Sequence, residues 1–361
     1  MSRYPQLVVD LNKLKNNIRQ IKNKCDLCNV EIAGVIKGCS GFPEVAKTFD
    51  NEGVSFIASS RLDQLEKVKD EVSAPLMLIR IPMISEVSEV IRLTDISLNS
   101  ELEVLRALNE EAKKQNKIHK VILMKDLGDL REGFWSEEEI IEASLIVEKE
   151  LFNLYLSGIG TNLGCYGAVV ATEDKLNELV SIAEKIEEKI GRKLDYISGG
   201  ATTSLPRIFE NNMPKRINLL RIGEGILLAK DLKDLWGYDM SYMYQDVFKL
   251  RCEVIEVKNK PTHPVGEIFV DAFGNKPTYE DRGIRKRALL AIGKVDYAFL
   301  DELILNEEGT FIVGASSDHT IIDVHDAKRD IKVGDIMEFD LCYATMVYIT
   351  NSPNVKKVFL D

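Results

Sequence analysis

The sequence predicts an α/β fold: a (β/α)8 TIM barrel followed by a C-terminal all-β domain. From residue 30 to about 225, short apolar runs alternate with longer amphipathic segments rich in Glu and Lys, which is typical of repeated βα units. After residue 231, short alternating strands separated by turn residues replace this pattern. A chain of 361 residues also exceeds the size at which one core usually stops growing, so two domains are expected.

Eight apolar runs are predicted barrel strands, and eight is the number that closes a parallel barrel. They cover 30–37, 54–59, 76–81, 95–98, 120–126, 153–159, 194–198 and 216–222. The segments between them place apolar residues at helical spacing, as in 101–116 and 174–190. We therefore expect a barrel domain over residues 1–230, with its reactive side chains where strands end.

The second domain is predicted over residues 231–361. Its expected strands are 247–258, 267–273, 288–293, 310–316, 320–325, 336–342 and 346–350. A further strand at 5–10 precedes the helix that leads into the barrel, so it is a candidate to pair with this second domain.

Composition narrows the class of partner. The net charge of −11 argues against nucleic acid or an anionic membrane, because both require a concentrated basic face. The start of the chain lacks the apolar core of a signal peptide and no run is long enough to span a bilayer, so a cytoplasmic location is expected. The six cysteines are scattered, and neither they nor the histidines form a cluster at metal-ligand spacing. We expect a small-molecule partner and no metal site.

Lys37 is the first candidate for chemistry. It ends the apolar run 31–36 and is followed by Gly38, Ser40 and Gly41. An ammonium group buried at the end of a strand either finds a partner or loses its proton and becomes a nucleophile toward carbonyls. The alternative is a surface lysine just past the strand.

Two loops of small residues suggest a phosphate site. Ser198–Ser204 (SGGATTS) follows the seventh strand and Gly223–Gly225 follows the eighth, where backbone N–H groups can converge on an anion. Each loop alone could be only a tight turn. Together with Lys37 they indicate an aldehyde cofactor that carries a phosphate, and pyridoxal 5′-phosphate meets both requirements.

Arg221 lies at the end of the eighth strand and could reach the pyridine nitrogen of that cofactor. A permanently charged donor there keeps the nitrogen unprotonated and favours controlled proton transfer. The alternative is a salt bridge to Glu224 or another carboxylate.

The motifs VIKG, SGGATTS, LLRIGEG and GASSDH, in this order, resemble those of the alanine racemase superfamily of fold-type III pyridoxal-phosphate enzymes, and within it most closely the ornithine racemase group. The resemblance implies that Lys37 is the Schiff-base lysine and one of two bases. It implies cofactor contacts from Asn162, where alanine racemases have a histidine, and from Gly200, Ala201, Thr202, Thr203, Arg221, Gly223, Glu224 and either Tyr343 or Tyr348. It implies substrate contacts from Arg131 and, contributed by a partner subunit, from Ser316, Ser317 and Asp318; a homodimer with shared active sites is thus expected.

The base on the opposite face is expected within 266–277, where the family's tyrosine falls on Asp271 or Phe273. Asp271 would then be a carboxylate base, or it would hold the distal amine of a substrate. Asp129, Asp271 and Asp318 favour a cationic substrate, although Asp129 and Asp318 could instead orient backbone or Arg131.

The implied function is racemisation of a basic amino acid, ornithine first, by two-base α-proton transfer through a Lys37 aldimine. The alternatives are an alanine or lysine racemase, or a non-catalytic pyridoxal-phosphate-binding protein of cofactor homeostasis. A second domain argues against the last, because such proteins typically lack one.

Overall fold

The computed structural model describes residues 3–361 and divides them into two compact units. One unit comprises Leu14–Met243, and the other comprises the described residues up to Lys13 together with Tyr244–Asp361. The division falls at different positions from the predicted 230/231 boundary. The N-terminal boundary arises because the first strand of the chain pairs with strands from its C-terminal part, as the candidate pairing of 5–10 anticipated. The other boundary lies at Met243/Tyr244.

Unit Leu14–Met243 is built around a closed barrel of eight parallel strands. These strands are β2 (Glu31–Val35), β3 (Phe56–Ser59), β4 (Leu76–Leu78), β5 (Ile96–Asn99), β6 (His119–Met124), β7 (Leu154–Gly160), β8 (Tyr196–Ser198) and β9 (Leu219–Ile222). The barrel predicted from the eight apolar runs is confirmed, with shorter strands than expected. β2 ends at Val35, so Lys37 begins a single 3₁₀ turn, Lys37–Cys39, rather than ending the strand.

Helices alternate with these strands. They are α1 (Leu11–Asp26, which begins in the other unit), α2 (Pro43–Asn51), α3 (Leu62–Glu66), α4 (Val87–Leu93), α5 (Leu102–Lys114), α6 (Glu137–Glu150), α7 (Glu173–Ile190), α8 (Leu205–Phe209), α9 (Glu224–Leu227) and α10 (Asp231–Asp234). The start of α6 shows the local logic, because the Ser136 side chain accepts from the backbone N–H of Glu139 while the Glu139 side chain accepts from that of Ser136.

The barrel interior is a packed apolar core. Side chains from several strands meet there at 4% exposure or less, among them Ala33, Phe56, Met77, Leu98 and Ile122. A barrel of this kind is filled by side chains rather than hollow, so chemistry is confined to the ends of its strands.

The other unit is an eight-stranded sheet. Its strands are β1 (Gln6–Asp10), β10 (Phe248–Pro261), β11 (Ile284–Leu290), β12 (Leu303–Leu305), β13 (Phe311–Ala315), β14 (Thr320–Asp323), β15 (Ile336–Leu341) and β16 (Lys356–Leu360), with helices α11 (Lys294–Tyr297) and α12 (Tyr343–Ile349). The order is β12-β15-β10-β11-β14-β13, and β1 pairs antiparallel with β10 and parallel with β16.

Two predicted strands of this unit are wrong. The run 346–350 lies largely in α12, because the Thr345 hydroxyl accepts from the backbone N–H of Cys342 and caps a helix there. The run 267–273 forms no strand, because the Asp271 carboxylate accepts from the backbone N–H groups of Phe273 and Asn275 and folds the chain into a turn. The short strands β12 and β16 were not predicted from the sequence.

Among the described residues, no helix combines the length and the apolar character needed to cross a membrane.

Candidate active site

Lys37 lies two residues after the end of β2, in the 3₁₀ turn, with its side chain half-buried. Its Nζ makes no hydrogen bond or ion pair with any described residue. Burial lowers the pKa of the Lys37 amine; Cys165 and Glu132 act against this, while the positive charges of Arg131 and Arg221 lower it further. A lowered pKa increases the fraction of neutral amine, and the neutral amine is the form that attacks a carbonyl carbon.

Lys125 is a second lysine whose pKa burial lowers, and its contacts distinguish it from Lys37. Its Nζ donates to the carbonyl oxygens of Asp126 and Trp135, both at 2.7 Å. Lys125 therefore closes the loop that follows β6, whereas the amine of Lys37 has no described partner.

Arg221 is a buried cation that connects the ends of three strands. From β9 it donates through Nη1 to Ser198 Oγ, and through Nη2 to the Thr161 carbonyl oxygen at 2.8 Å and to Asn162 Oδ1 at 3.5 Å. It makes no ion pair with any described carboxylate, Glu224 included. Burial lowers the pKa of Arg221 to about 10, so the guanidinium stays charged at neutral pH.

The loop after β8 is shaped by Gly200. Its φ is +114°, and a Cβ atom there would lie 2.7 Å from Ser204 Oγ, so a larger residue would displace the loop. Ser204 Oγ donates to the Gly199 carbonyl and Thr203 Oγ1 donates to the Leu163 carbonyl, each at 2.7 Å. These bonds fix the loop against the barrel.

Thr202 joins this loop to the one after β9. Its Oγ1 accepts from the backbone N–H of Gly225 at 3.1 Å, and its own hydroxyl proton is given to no described residue. The backbone N–H groups of Ala201, Gly223 and Glu224 likewise donate to no described residue. Four donors without a described acceptor, on adjacent loops of small residues, are what a phosphate group requires.

The side chain of Glu224 has a different role from its backbone. Oε1 accepts from the backbone N–H groups of Lys230 at 2.9 Å and Asp231 at 3.1 Å, while Oε2 is buried without a described partner. Burial, with the charge of Asp231, raises the pKa of Glu224 to about 7. The carboxyl group therefore ties the start of α9 to the start of α10.

Asn162 carries a buried donor that lacks a described partner. Its Oδ1 accepts from Arg221, but its Nδ2 is buried and unpaired. A buried polar group without a partner costs free energy, typically about 1–3 kcal/mol, unless a ligand accepts its proton. With Lys37, Arg221 and the four donors, Asn162 fits a phosphorylated aldehyde cofactor.

Arg131, Glu132 and Cys165 also act on the pKa of Lys37, and only Arg131 was singled out from the sequence. Arg131 donates to both carboxylate oxygens of Glu132. Glu132 directly follows Arg131 in the chain, so a carboxylate next to Arg131 could have been noted from the sequence. Cys165 lies three residues after Asn162 and is exposed. No sequence pattern marked either of them as a neighbour of Lys37.

Both carboxylate oxygens of Asp129 are occupied by backbone donors. Its Oδ1 accepts from the backbone N–H groups of Gly164 and Val169, and its Oδ2 from those of Cys165 and Tyr166, at 2.9 to 3.3 Å. Burial would raise the pKa of Asp129, but these four bonds outweigh it and lower the pKa. Of the two uses left open for Asp129, the structure supports the orientation of backbone.

The other predicted residues belong to the second unit. Asp271 organises the turn 271–275, and bonds from Asn275 lower the pKa of its carboxyl group. The carbonyl oxygens of Ser316 and Ser317 accept from the N–H groups of Lys294 and Val295, and Asp318 is exposed in the same turn. Tyr343 begins α12, and Tyr348 packs edge-to-face on Phe299. The roles predicted for Asp271, Ser316, Ser317, Asp318 and Tyr343 stay predictions.

No group of three or more His, Cys, Asp or Glu side chains suited to a metal ion occurs within residues 3–361. The fold and site together define a barrel protein with a half-buried lysine of lowered pKa at its strand ends and a separate β domain. The family model described as "Alanine racemase, N-terminal domain" matches residues 9–231. The chain belongs to the alanine racemase family.

Comparison with individual proteins agrees. The chain is 43% identical over 357 residues to the ornithine racemase of Acetoanaerobium sticklandii, covering 99% of this chain and 100% of that protein. It is 36% identical over 359 residues to the lysine racemase of Thermotoga maritima, covering 99% and 98%. The alanine racemase of Bartonella henselae, solved with covalently bound pyridoxal phosphate, has a TM-score of 0.76 at 15% identity, covering 99% of this chain and 100% of that one; this likeness shows the fold.

Proposed function

We propose that this protein is a pyridoxal-5′-phosphate-dependent racemase that interconverts the L- and D-enantiomers of a basic amino acid, with ornithine as the first substrate. The observation that carries the proposal is the unpaired Lys37 amine, whose pKa is lowered, in the same barrel mouth as Arg221. Relatives named ornithine racemase and lysine racemase align along nearly the whole chain. Lysine is therefore the second candidate substrate.

The bound cofactor would supply a conjugated, electron-withdrawing ring that makes the α-proton of an amino acid removable. Lys37 would hold the cofactor covalently and, once released by the substrate amine, would carry a proton at Nζ on one face. A positioned proton carrier contributes about 10² to 10⁴-fold in rate, and a pKa lowered toward neutrality suits this task.

Arg221 would lie at the ring nitrogen. Its guanidinium remains charged at neutral pH and carries only N–H donors, so it would donate to the ring nitrogen and keep that nitrogen unprotonated. Its bonds to Ser198 and Thr161 fix the guanidinium in place. The donors of Thr202, Ala201, Gly223 and Glu224 would bind the phosphate, and Asn162 Nδ2 would donate to the cofactor.

The proposal also names residues for the face of the cofactor ring opposite Lys37. Asp271, in the second unit, would carry or orient the other proton, and Ser316, Ser317 and Asp318 would reach the site of a partner subunit, with Tyr343 at the phosphate. We propose a homodimer for this reason. Large apolar side chains exposed in the second unit, such as Val265 at 92% and Phe269 at 77%, support a protein contact there.

All six cysteines are free thiols, which suits the proposed cytoplasmic location.

The decisive experiment measures racemisation and α-proton exchange together. The purified protein, loaded with pyridoxal 5′-phosphate, is mixed with L-ornithine, L-lysine or L-alanine in deuterium oxide. Loss of optical rotation with deuterium uptake at the α-carbon is the expected result, fastest for ornithine. Borohydride should fix the cofactor onto the peptide that contains Lys37.

Two variants sharpen the test. Lys37→Ala should lose the borohydride-fixed cofactor and racemisation, while Lys113→Ala, which removes an exposed lysine of α5, should keep both. Cofactor bound at Lys37 with no α-exchange on any of the three amino acids would favour the non-catalytic alternative. Racemisation by the Lys37→Ala variant would overturn the assignment of Lys37.

A further inference from the structure

Glu132 is a carboxylate at the mouth of the barrel whose position suggests a role in substrate choice. It lies in the loop after β6, and its side chain is 18% exposed. Arg131 donates from Nε to Oε2 and from Nη2 to Oε1 of Glu132, the second bond at 2.7 Å. Two opposite charges are thus held side by side.

The base of this loop is fixed. The backbone N–H of Phe134 donates to the Met124 carbonyl at 2.8 Å, and that of Asp126 donates to the Phe134 carbonyl at 3.1 Å. A Cβ atom on Gly133 would lie 2.3 Å from the backbone nitrogen of Asp126, so this close approach requires glycine. The pair of Arg131 and Glu132 is therefore carried on a rigid support.

Both members of the pair influence Lys37. The negative charge of Glu132 raises the pKa of the Lys37 amine and that of Arg221, while Arg131 lowers them. The ion pair is consequently within electrostatic range of the amine on which the proposed reaction takes place.

Both members also retain unused hydrogen-bonding capacity. Each oxygen of Glu132 accepts one bond from Arg131, although a carboxylate oxygen can accept about two. Nη1 of Arg131 donates to no described residue. Asp129, the other carboxylate of this loop, is already bonded to four backbone N–H groups. Within the described barrel unit, Glu132 is thus the carboxylate acting on the pKa of Lys37 that can still accept a further hydrogen bond.

We propose that Glu132 binds the distal ammonium group of the substrate while Arg131 binds its α-carboxylate, so that this ion pair selects amino acids with a second amine. This inference rests on the proposed racemase function. A substrate with an anionic and a cationic end matches the two charges. A substrate with a neutral side chain would bury Glu132 without satisfying it, which penalises binding.

The experiment compares two substrates that differ only in the distal amine. Racemisation of ornithine and of 2-aminopentanoate, which has the same carbon chain without that amine, is measured for the wild type and for Glu132→Gln. We expect kcat/KM for ornithine to fall about 10- to 100-fold in the variant, mainly through KM, since hydrogen bonds to charged groups contribute this much. The value for 2-aminopentanoate should be unchanged or higher.

A binding measurement provides a second readout. 2-Methylornithine has no α-proton, so it binds without being racemised, and its Kd can be read from the cofactor spectrum. Glu132→Gln should weaken this Kd by a similar factor but leave that of 2-methyl-2-aminopentanoate unchanged. Glu138→Gln, which removes an exposed carboxylate from the first turn of α6, is the charge-matched control and should behave as the wild type.

The outcomes separate the two proposals. If wild-type protein racemises neither substrate, the proposed function fails. If the wild type is active and Glu132→Gln slows both substrates equally, Glu132 only positions Arg131 and the present inference is wrong. A selective loss on ornithine and 2-methylornithine supports it.

Discussion

The carboxylate of Asp129 accepts the backbone N–H of Gly164 at 2.9 Å, and this bond ties the loop after β6 to the loop after β7. Three further backbone N–H groups, those of Cys165, Tyr166 and Val169, donate to the same carboxylate. The backbone of Cys165, in the loop after β7, is therefore held by a carboxylate from the loop after β6.

We predict that Asp129→Asn loosens the segment 164–169. An amide keeps one acceptor oxygen but turns an NH₂ group toward backbone donors, which should cost about 1–3 kcal/mol in the free energy of unfolding. Hydrogen exchange should accelerate at residues 164–169, and cofactor affinity should fall. Asp70→Asn, at an exposed aspartate, is the control. Unchanged exchange at 164–169 would show that the four bonds do not hold the loop.

The four bonds to Asp129 also predict how its contribution to stability changes with pH. Because they lower the pKa of Asp129 in the folded state, its contribution to stability is present above the unfolded pKa and is lost as pH falls through the folded pKa. The difference in unfolding free energy between wild type and Asp129→Asn should shrink in acid.

Glu224 should show the opposite dependence. Its folded pKa is raised from 4.5 to about 7, so its stabilising contribution is fully present below pH 4.5 and lost as pH rises through about 7. The shift corresponds to roughly 3 kcal/mol. Glu224→Gln keeps an oxygen for the N–H groups of Lys230 and Asp231 but cannot ionise. The variant should gain stability relative to the wild type between pH 5 and pH 8.

Urea unfolding at several pH values measures this difference. Glu138→Gln again serves as the control, because its carboxylate is exposed and should leave the pH dependence unchanged. Parallel stability curves for wild type and Glu224→Gln across this range would contradict a raised pKa at Glu224.

Cys165 should be the cysteine that decides sensitivity to alkylation. It is exposed, whereas Cys25, Cys39 and Cys252 are buried, and burial raises the pKa of the first two to about 12. A carbamidomethyl group on Cys165 would lie near Lys37, since Cys165 is one of the residues that act on the pKa of that amine. We expect iodoacetamide to reduce racemase activity at least 10-fold, with modification of Cys165 seen by peptide mass spectrometry.

Cys165→Ser should retain activity and resist the reagent. Inactivation of this variant at the wild-type rate would assign the effect to another cysteine, such as the half-buried Cys28 or Cys342.

The sequence revealed the barrel because its signals are local. Each of the eight strands is a short apolar run, and a buried parallel strand must be apolar on both faces. The strands of the C-terminal part were predicted less accurately, because residues 346–350 suit a strand as well as a helix. The cap from Thr345 decided between them, and the missed strand β16 depends on a partner, β1, at the other end of the chain.

The candidate site divides in the same way. By itself, the sequence determined that Lys37 lies where an apolar strand ends, within two residues of the observed strand end, that loops of small residues follow the last two barrel strands, and that Arg221 lies beside them. Only the tertiary structure decided that Asp129 is occupied by backbone, that Glu132 and Cys165 influence the pKa of Lys37, and that this pKa is lowered. The physical reason is that hydrogen-bond saturation and pKa depend on burial and on charges brought together by barrel closure, and neither is encoded by residues adjacent in the chain.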